Sequence, residues 1–232
     1  MTPIHRHALI VGAGQGLSAA LARRFASEGL AVTLAARTID DLGDLAAETG
    51  AGVETCDAAD HAAVAGLFAR LDDGPRGAPD VMVYNAGARV RGAVTDLDPE
   101  AVAAAVHVTG TGGFFCAREA ARRMVPQGHG ALLFTGASAG VKGFAGSSCF
   151  AMGKFALRGL AQALARELQP QGVRVAHFVI DGGIANAARG MTDEADGFLD
   201  PDAIAATYWH FLSQDRSVWP WEVELRPWTE RF

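Results

Sequence analysis

A short apolar run, Ala8-Leu-Ile-Val11, breaks into Gly12-Ala-Gly14-Gln-Gly16, and then Leu17, Leu21 and Phe25 recur at four-residue spacing. These pieces together constrain the fold more than any other stretch. The run has the length of a buried strand, and the i, i+4 recurrence is one face of a helix. Glycines between them let the backbone reverse within very few residues. A strand entering a helix through a glycine turn is how a βαβ unit begins.

The same rhythm repeats along the chain. Leu30–Leu34 reads as a strand, 40–49 as a helix stopped by Gly50, and Val53 as the start of a third strand. A helix near 61–71, a strand over Val81–Tyr84 and a long helix around 114–125 follow. Ala131–Phe134 is a strand, Phe155, Leu157, Leu160, Leu164 and Leu168 mark a helix ended by Pro170, and 173–179 is another strand. Asp200-Pro201 opens a last helix, with proline in the first turn where its missing N–H costs little. Strands that are apolar throughout, alternating with helices, predict an α/β fold: one parallel sheet covered on both faces. No linker or repeat interrupts it, so 1–232 is expected to be a single domain.

A formal charge of -6 gives no electrostatic reason to bind nucleic acid or an anionic membrane. No run approaches the ~18 apolar residues of a spanning helix, and Met-Thr-Pro-Ile-His-Arg-His is no signal-peptide core. Cys56, Cys116 and Cys149 are odd in number and widely spaced. They suggest neither a disulfide framework nor a metal site, and a reducing cytoplasm is the expected location.

The glycine loop carries chemistry because of where it stands. Glycines allow a close approach to a pyrophosphate, and the helix behind offers unpaired N–H groups and a favourable dipole. The spacing is G-x-x-x-G, anchored by Gly12 and Gly16, with Leu17 where G-x-G-x-x-G would need a third glycine. Further along come Cys56-Asp57-Ala58-Ala-Asp60, Asn85-Ala86-Gly87 after Tyr84, and Phe150-Ala-Met-Gly-Lys154. In this order and spacing the segments resemble the short-chain dehydrogenase/reductase family over about residues 8–190.

That resemblance implies a single-domain Rossmann-type doubly wound sheet with NAD(P) across the carboxyl ends of its strands. The residues it assigns to the cofactor are Gly12, Gln15, Gly16, Leu17, Ala36, Arg37, Asp57, Ala58, Asn85, Ala86, Gly87, Lys154, Gly182 and Ile184. A carboxylate at the end of the second strand would repel a 2′-phosphate; Ala36 and Arg37 stand there instead. A guanidinium favours phosphate, so NADP(H) is expected over NAD(H).

In the family a tyrosine donates the proton, a lysine lowers its pKa, a serine holds the substrate oxygen and an asparagine completes a relay. Here Phe150 replaces the tyrosine, and thirteen residues earlier Ala137 replaces the serine. Ser138 is its neighbour and a conceivable substitute. The Asn-x-x-Gly pattern is read on His107-Val-Thr-Gly110, which puts histidine at the asparagine. His107, with an ordinary pKa near ~6.5, is a candidate acid or else a histidine hydrogen-bonded at a helix start. Lys154 is retained. Asp181 replaces a proline after the sixth strand, as a substitute acid or a brace of the turn, and Asn186 replaces a threonine.

Trp209, Trp219, Trp221 and Trp228 crowd the C-terminal end. Residues from about 187 to 232 are therefore expected to form a substrate loop and an oligomer interface, in a homo-dimer or homo-tetramer. Two functions follow. One is an NADP(H)-dependent oxidoreductase moving hydride between nicotinamide and a carbonyl or alcohol by a non-standard proton route. The other is a catalytically silent nucleotide-binding sensor or scaffold.

Overall fold

The structure is a computed structural model that describes residues 5–186, 190–192 and 197–230. Its centre is a seven-stranded sheet: β1 (His7–Val11), β2 (Ala31–Ala36), β3 (Gly52–Thr55), β4 (Val81–Tyr84), β5 (Gly130–Thr135), β6 (Val173–Ile180) and β7 (Glu222–Leu225). The strands lie in the order β3-β2-β1-β4-β5-β6-β7, and every neighbouring pair is parallel. The order reverses between β1 and β4, and a doubly wound sheet opens a crevice there at the carboxyl ends of its strands.

Each inner strand serves two cores because side chains alternate across the sheet. Ala8 and Ile10 of β1 pack with Ala131 and Leu133 of β5 on one face, while Leu9 and Val11 pack with Leu132 and Phe134 on the other. The first face is covered by α1 (Leu17–Ser27) and α7 (Pro201–Ser213), through residues such as Leu21, Phe25, Tyr208 and Phe211. On the second lie α3 (His61–Asp73), α5 (Gly112–Met124) and α6 (Ser148–Leu168). The continuous apolar strands of the sequence are thus explained by burial on both sides.

Two shorter helices complete the set among the described residues: α2 (Gly43–Thr49) and α4 (Pro99–Val106). The apolar pattern did not announce α4, β7 or the π-helical turn His107–Thr111 between α4 and α5. Such a turn inserts a residue relative to α-helical spacing, so periodicity fades where it occurs. Helix α6 also starts earlier than the leucine pattern indicates, at Ser148, which makes Phe150 and Lys154 residues of its first turns.

Helix starts divide into two kinds. Asp60 caps α3 by accepting from the Ala62 and Ala63 N–H groups, Asp98 caps α4, and Asp200 caps α7. Helix α1 begins at Gly16 with no side-chain cap.

Candidate active site

The crevice is built first from backbone. Gly12 has φ +84°, and its N–H and that of Ala13 both donate to the Ala35 carbonyl, at 2.9 and 3.1 Å. A Cβ at Gly12 would lie 2.4 Å from the Ala86 nitrogen, so only glycine lets this loop rest on the segment after β4. Asn85 secures that contact: its Nδ2 donates to the Gly12 carbonyl at 3.2 Å and to Ser18 Oγ at 2.8 Å, while Ser18 Oγ donates to Gly12 O at 3.0 Å. A Cβ at Gly14 would meet nothing within 4 Å, so the loop's outer rim is open.

An uncapped helix start preceded by glycines suits a pyrophosphate: the first-turn N–H groups around Leu17 lack a side-chain acceptor and the dipole favours an anion. The residues present therefore fit a dinucleotide. Gln15 donates to the Asp41 carbonyl at 2.6 Å, which ties the loop to the chain beyond β2. Ala36 ends β2, and Arg37 is exposed with no ion-pair partner among the described residues. Exposed Asp57 accepts the Ala59 N–H at 3.0 Å, and Ala58 is buried beneath it. Asp60, at the end of the Cys56–Asp60 segment, is occupied as the α3 cap.

On the far side, Gly182 has φ +150° and packs against Pro227, and Ile184 bridges to Leu199. The Asn186 side-chain amide stands 3.2 Å from where a Gly16 Cβ would be, bringing this segment over the glycine loop. Of the expected substrate loop, 187–189 and 193–196 lie outside the described residues.

The reaction corner is built from side chains. Lys154 is buried, and its Nζ donates to the Thr135 carbonyl at 2.7 Å. A Cβ at Gly87 would be 3.8 Å from that Nζ, so the lysine abuts the Asn85–Gly87 segment. Burial, and secondarily the charge of Arg89, lowers its pKa to about 8. One helical turn earlier, the Phe150 ring carries the Arg89 guanidinium 4.0 Å from its centroid and Lys154 Nζ at 5.7 Å. Ala137 is extended at the end of β5 and offers no hydroxyl. Ser138 opens a 3-10 turn whose Gly140 packs against the Lys154 backbone, and its carbonyl accepts the Val141 and Lys142 N–H groups.

Of the two readings of His107, the geometry supports the hydrogen-bonded histidine over the candidate acid. Its Nε2 lies 3.0 Å from the Ala59 carbonyl and its ring meets Phe115 edge-on, which engages it at the start of α3. The residue facing the corner from this turn is Thr109, buried against Gly153; its Oγ1 donates to the Ala105 carbonyl at 2.7 Å and accepts the Ala88 N–H at 3.2 Å. The sequence contained the signal: Thr109-Gly-Thr-Gly112 has the same spacing as His107-Val-Thr-Gly110. Two glycines two residues apart made the register ambiguous, and the π-helical turn decides it.

Asp181 is buried and pairs with Lys142 at 3.4 Å, bracing the turn rather than standing as an unpaired acid. Tyr84, in the first position of the Tyr-Asn-Ala-Gly segment, donates to the Val108 carbonyl and fixes the π-helical turn to β4. The tryptophans do not act as one cluster. Trp209 packs on the core beside Phe25, Trp221 lies under Arg158, Trp219 lies under Arg174, and Trp228 is 83% exposed. The cysteines are buried and free, and burial pushes the Cys56 thiol up to about 11, far from a reactive thiolate.

Among the described residues, one group has the reach of a metal site: His5, Asp80 and His129, whose ligand atoms lie within 4.8 Å of one another. It sits near the amino ends of β1 and β5, and the rings of His5 and His129 stack at 4.7 Å. The positive charge of Arg174 acts on His5 and opposes a cation there.

The family model for short chain dehydrogenase matches residues 6–195. A short-chain dehydrogenase/reductase of Armillaria gallica is 34% identical over 181 residues, covering 75% of this chain and 69% of its own. The crystal structure of a short-chain dehydrogenase from Rhodopseudomonas palustris superposes with a TM-score of 0.84 at 31% identity, over 97% of this chain and 100% of that one. An alcohol dehydrogenase from Thermococcus sibiricus, complexed with 5-hydroxy-NADP, superposes with a TM-score of 0.86 at 25% identity, over 97% and 98% of the two chains. No described helix is long and apolar enough to cross a membrane.

Proposed function

The chain belongs to the short-chain dehydrogenase family, and from that premise we propose that it is an NADP(H)-dependent oxidoreductase acting on a carbonyl or alcohol. One observation carries the reading: the glycine loop with its uncapped helix, the Asn85–Gly87 segment and Lys154 meet at the carboxyl edge of the sheet. When bound, the nicotinamide supplies or accepts the hydride. The backbone around Gly12 to Leu17 would hold its pyrophosphate, and Lys154 its ribose. Arg37 beside the neutral Ala36 supports a 2′-phosphate, and the Thermococcus sibiricus relative is a complex with an NADP derivative.

The proton route is Lys154. Phe150 and Ala137 have no exchangeable proton, and His107 faces the Ala59 carbonyl. An ammonium whose pKa is lowered to about 8 is a competent acid near neutrality. Thr109 keeps the corner closed behind it by holding the Ala88 N–H. The free, buried cysteines are consistent with a reducing cytoplasm. Phe114, Met152 and Phe155 are solvent-facing apolar residues of α5 and α6, which supports association into a homo-oligomer through these helices.

The test is NADPH fluorescence and thermal stabilisation, followed by turnover on a panel of carbonyl compounds. Enhanced, blue-shifted NADPH emission with turnover is expected. No binding of NADPH or NADH overturns the proposal, and binding without turnover on any carbonyl favours the silent sensor.

A further inference from the structure

We propose that Arg89, laid on the Phe150 ring, is the specificity residue of this site, and that it selects substrates bearing a carboxylate beside the reacting carbonyl; this rests on the oxidoreductase reading above. Two cations lie against one phenyl ring, Arg89 at 4.0 Å and Lys154 at 5.7 Å from its centroid. Among the described residues neither has a carboxylate partner, since Lys154 donates to a backbone carbonyl and Asp181 is engaged by Lys142. Several other arginines are paired, Arg23 with Glu48, Arg70 with Glu54, Arg123 with Asp72 and Glu119, and Arg158 with Glu222. Like charges brought together without an anion cost Coulomb energy, which an anionic ligand relieves.

The geometry of a guanidinium says what the anion is. Stacking uses its face and leaves the in-plane N–H fork for a bidentate acceptor, which a carboxylate matches. Phenylalanine suits this platform: it supports the cation without offering a hydroxyl that would compete for the fork. Because Arg89 and Lys154 share one ring, a small substrate can set a carboxylate on the first and turn a neighbouring carbonyl oxygen to the second. A 2-oxo acid has that arrangement. Its reduction would break the carbonyl π bond, with the carbon gaining the hydride and its two electrons from the reduced nicotinamide, and the oxygen gaining the Lys154 proton, giving a 2-hydroxy acid and the oxidised nucleotide.

The experiment compares benzoylformate with methyl benzoylformate, the same ketone with and without the charge, by calorimetry on NADP+-saturated protein, where no reduction can occur. Wild-type protein is expected to bind the acid at least ~10-fold more tightly than the ester. Arg89→Gln should bring the ratio to within about twofold, with NADP+ affinity and melting temperature unchanged, and Arg89→Lys should retain part of it. Equal binding of acid and ester, binding of neither, or a preference that survives in Arg89→Gln overturns the inference while leaving the family reading intact. Failure to bind NADP+ overturns the oxidoreductase reading, and this inference with it.

Discussion

The glycine loop and the reaction corner lie in one crevice and are specified in different ways. At the loop, recognition falls to backbone: Gly12 in a left-handed conformation, the uncapped start of α1, and a carbonyl held by Asn85 and Ser18. At the corner it falls to side chains, Phe150, Ala137, Thr109 and Arg89 around a single buried Lys154. Backbone recognition depends on small residues and a fixed fold, so it survives much substitution elsewhere. Side-chain chemistry can be rewritten one residue at a time. A site can therefore keep its cofactor geometry while its proton chemistry changes.

The harshest way to break this contrast is at Gly12. A valine there would need a strained φ and would drive its Cβ to 2.4 Å from the Ala86 nitrogen. Gly12→Val should cost at least about 3 kcal/mol and abolish NADPH binding, as thermal melts and fluorescence titration would show. Retained affinity would mean that the loop is not what holds the nucleotide.

At Lys154 the corner should respond in chemistry and not in folding. Lys154→Met should lower turnover by ~10²–10⁴. Its folded pKa of about 8 lies below the ordinary lysine value of 10.5, so the unfolded chain binds more protons between those limits and stability rises with pH across that window. Below about pH 8 the buried charge costs roughly 3 kcal/mol, and Lys154→Met should therefore melt no lower than wild type at pH 7. The wild-type rate of reduction should fall as pH rises through about 8, when the ammonium loses its proton. A flat pH profile would dismiss Lys154 as the acid.

Smaller changes sharpen the edges of the comparison. Arg37→Ser should weaken NADPH binding by ~10-fold with NADH little changed, because one charge-assisted contact to the 2′-phosphate is lost. A parallel loss for both nucleotides would contradict the assignment of phosphate recognition to Arg37. His107→Ala should change turnover by less than about twofold, since its ring is turned to the Ala59 carbonyl. A loss of tenfold or more would restore it to the proton route.

Much of this was legible in the order of residues. The alternating apolar runs give β1 to β6 and most helices, because a strand buried on both faces leaves no choice but continuous hydrophobicity. Gly12, Gly16, Asn85 and Lys154 were found as a spaced set, since each lies at the end of a strand or in the first turns of a helix where spacing is rigid. His107 kept two readings in the sequence for a local reason: a π-helical turn inserts a residue, and Gly110 and Gly112 offer two registers. Arg89 carried no signal at all, because its contact with Phe150 joins a loop to a helix far along the chain.

The sequence by itself thus determined the sheet and the glycine loop, and it placed Phe150 and Ala137 where the resemblance expects a phenol and a serine hydroxyl, all of which are matters of local pattern and residue identity. The tertiary structure alone decided which charges meet. Thr109 borders Gly87 beside the lysine while His107 holds the Ala59 carbonyl, Asp181 is engaged by Lys142, and Arg89 lies over Phe150. Side-chain encounters between distant segments follow from how helices and loops pack over the sheet, and no one-dimensional spacing encodes that.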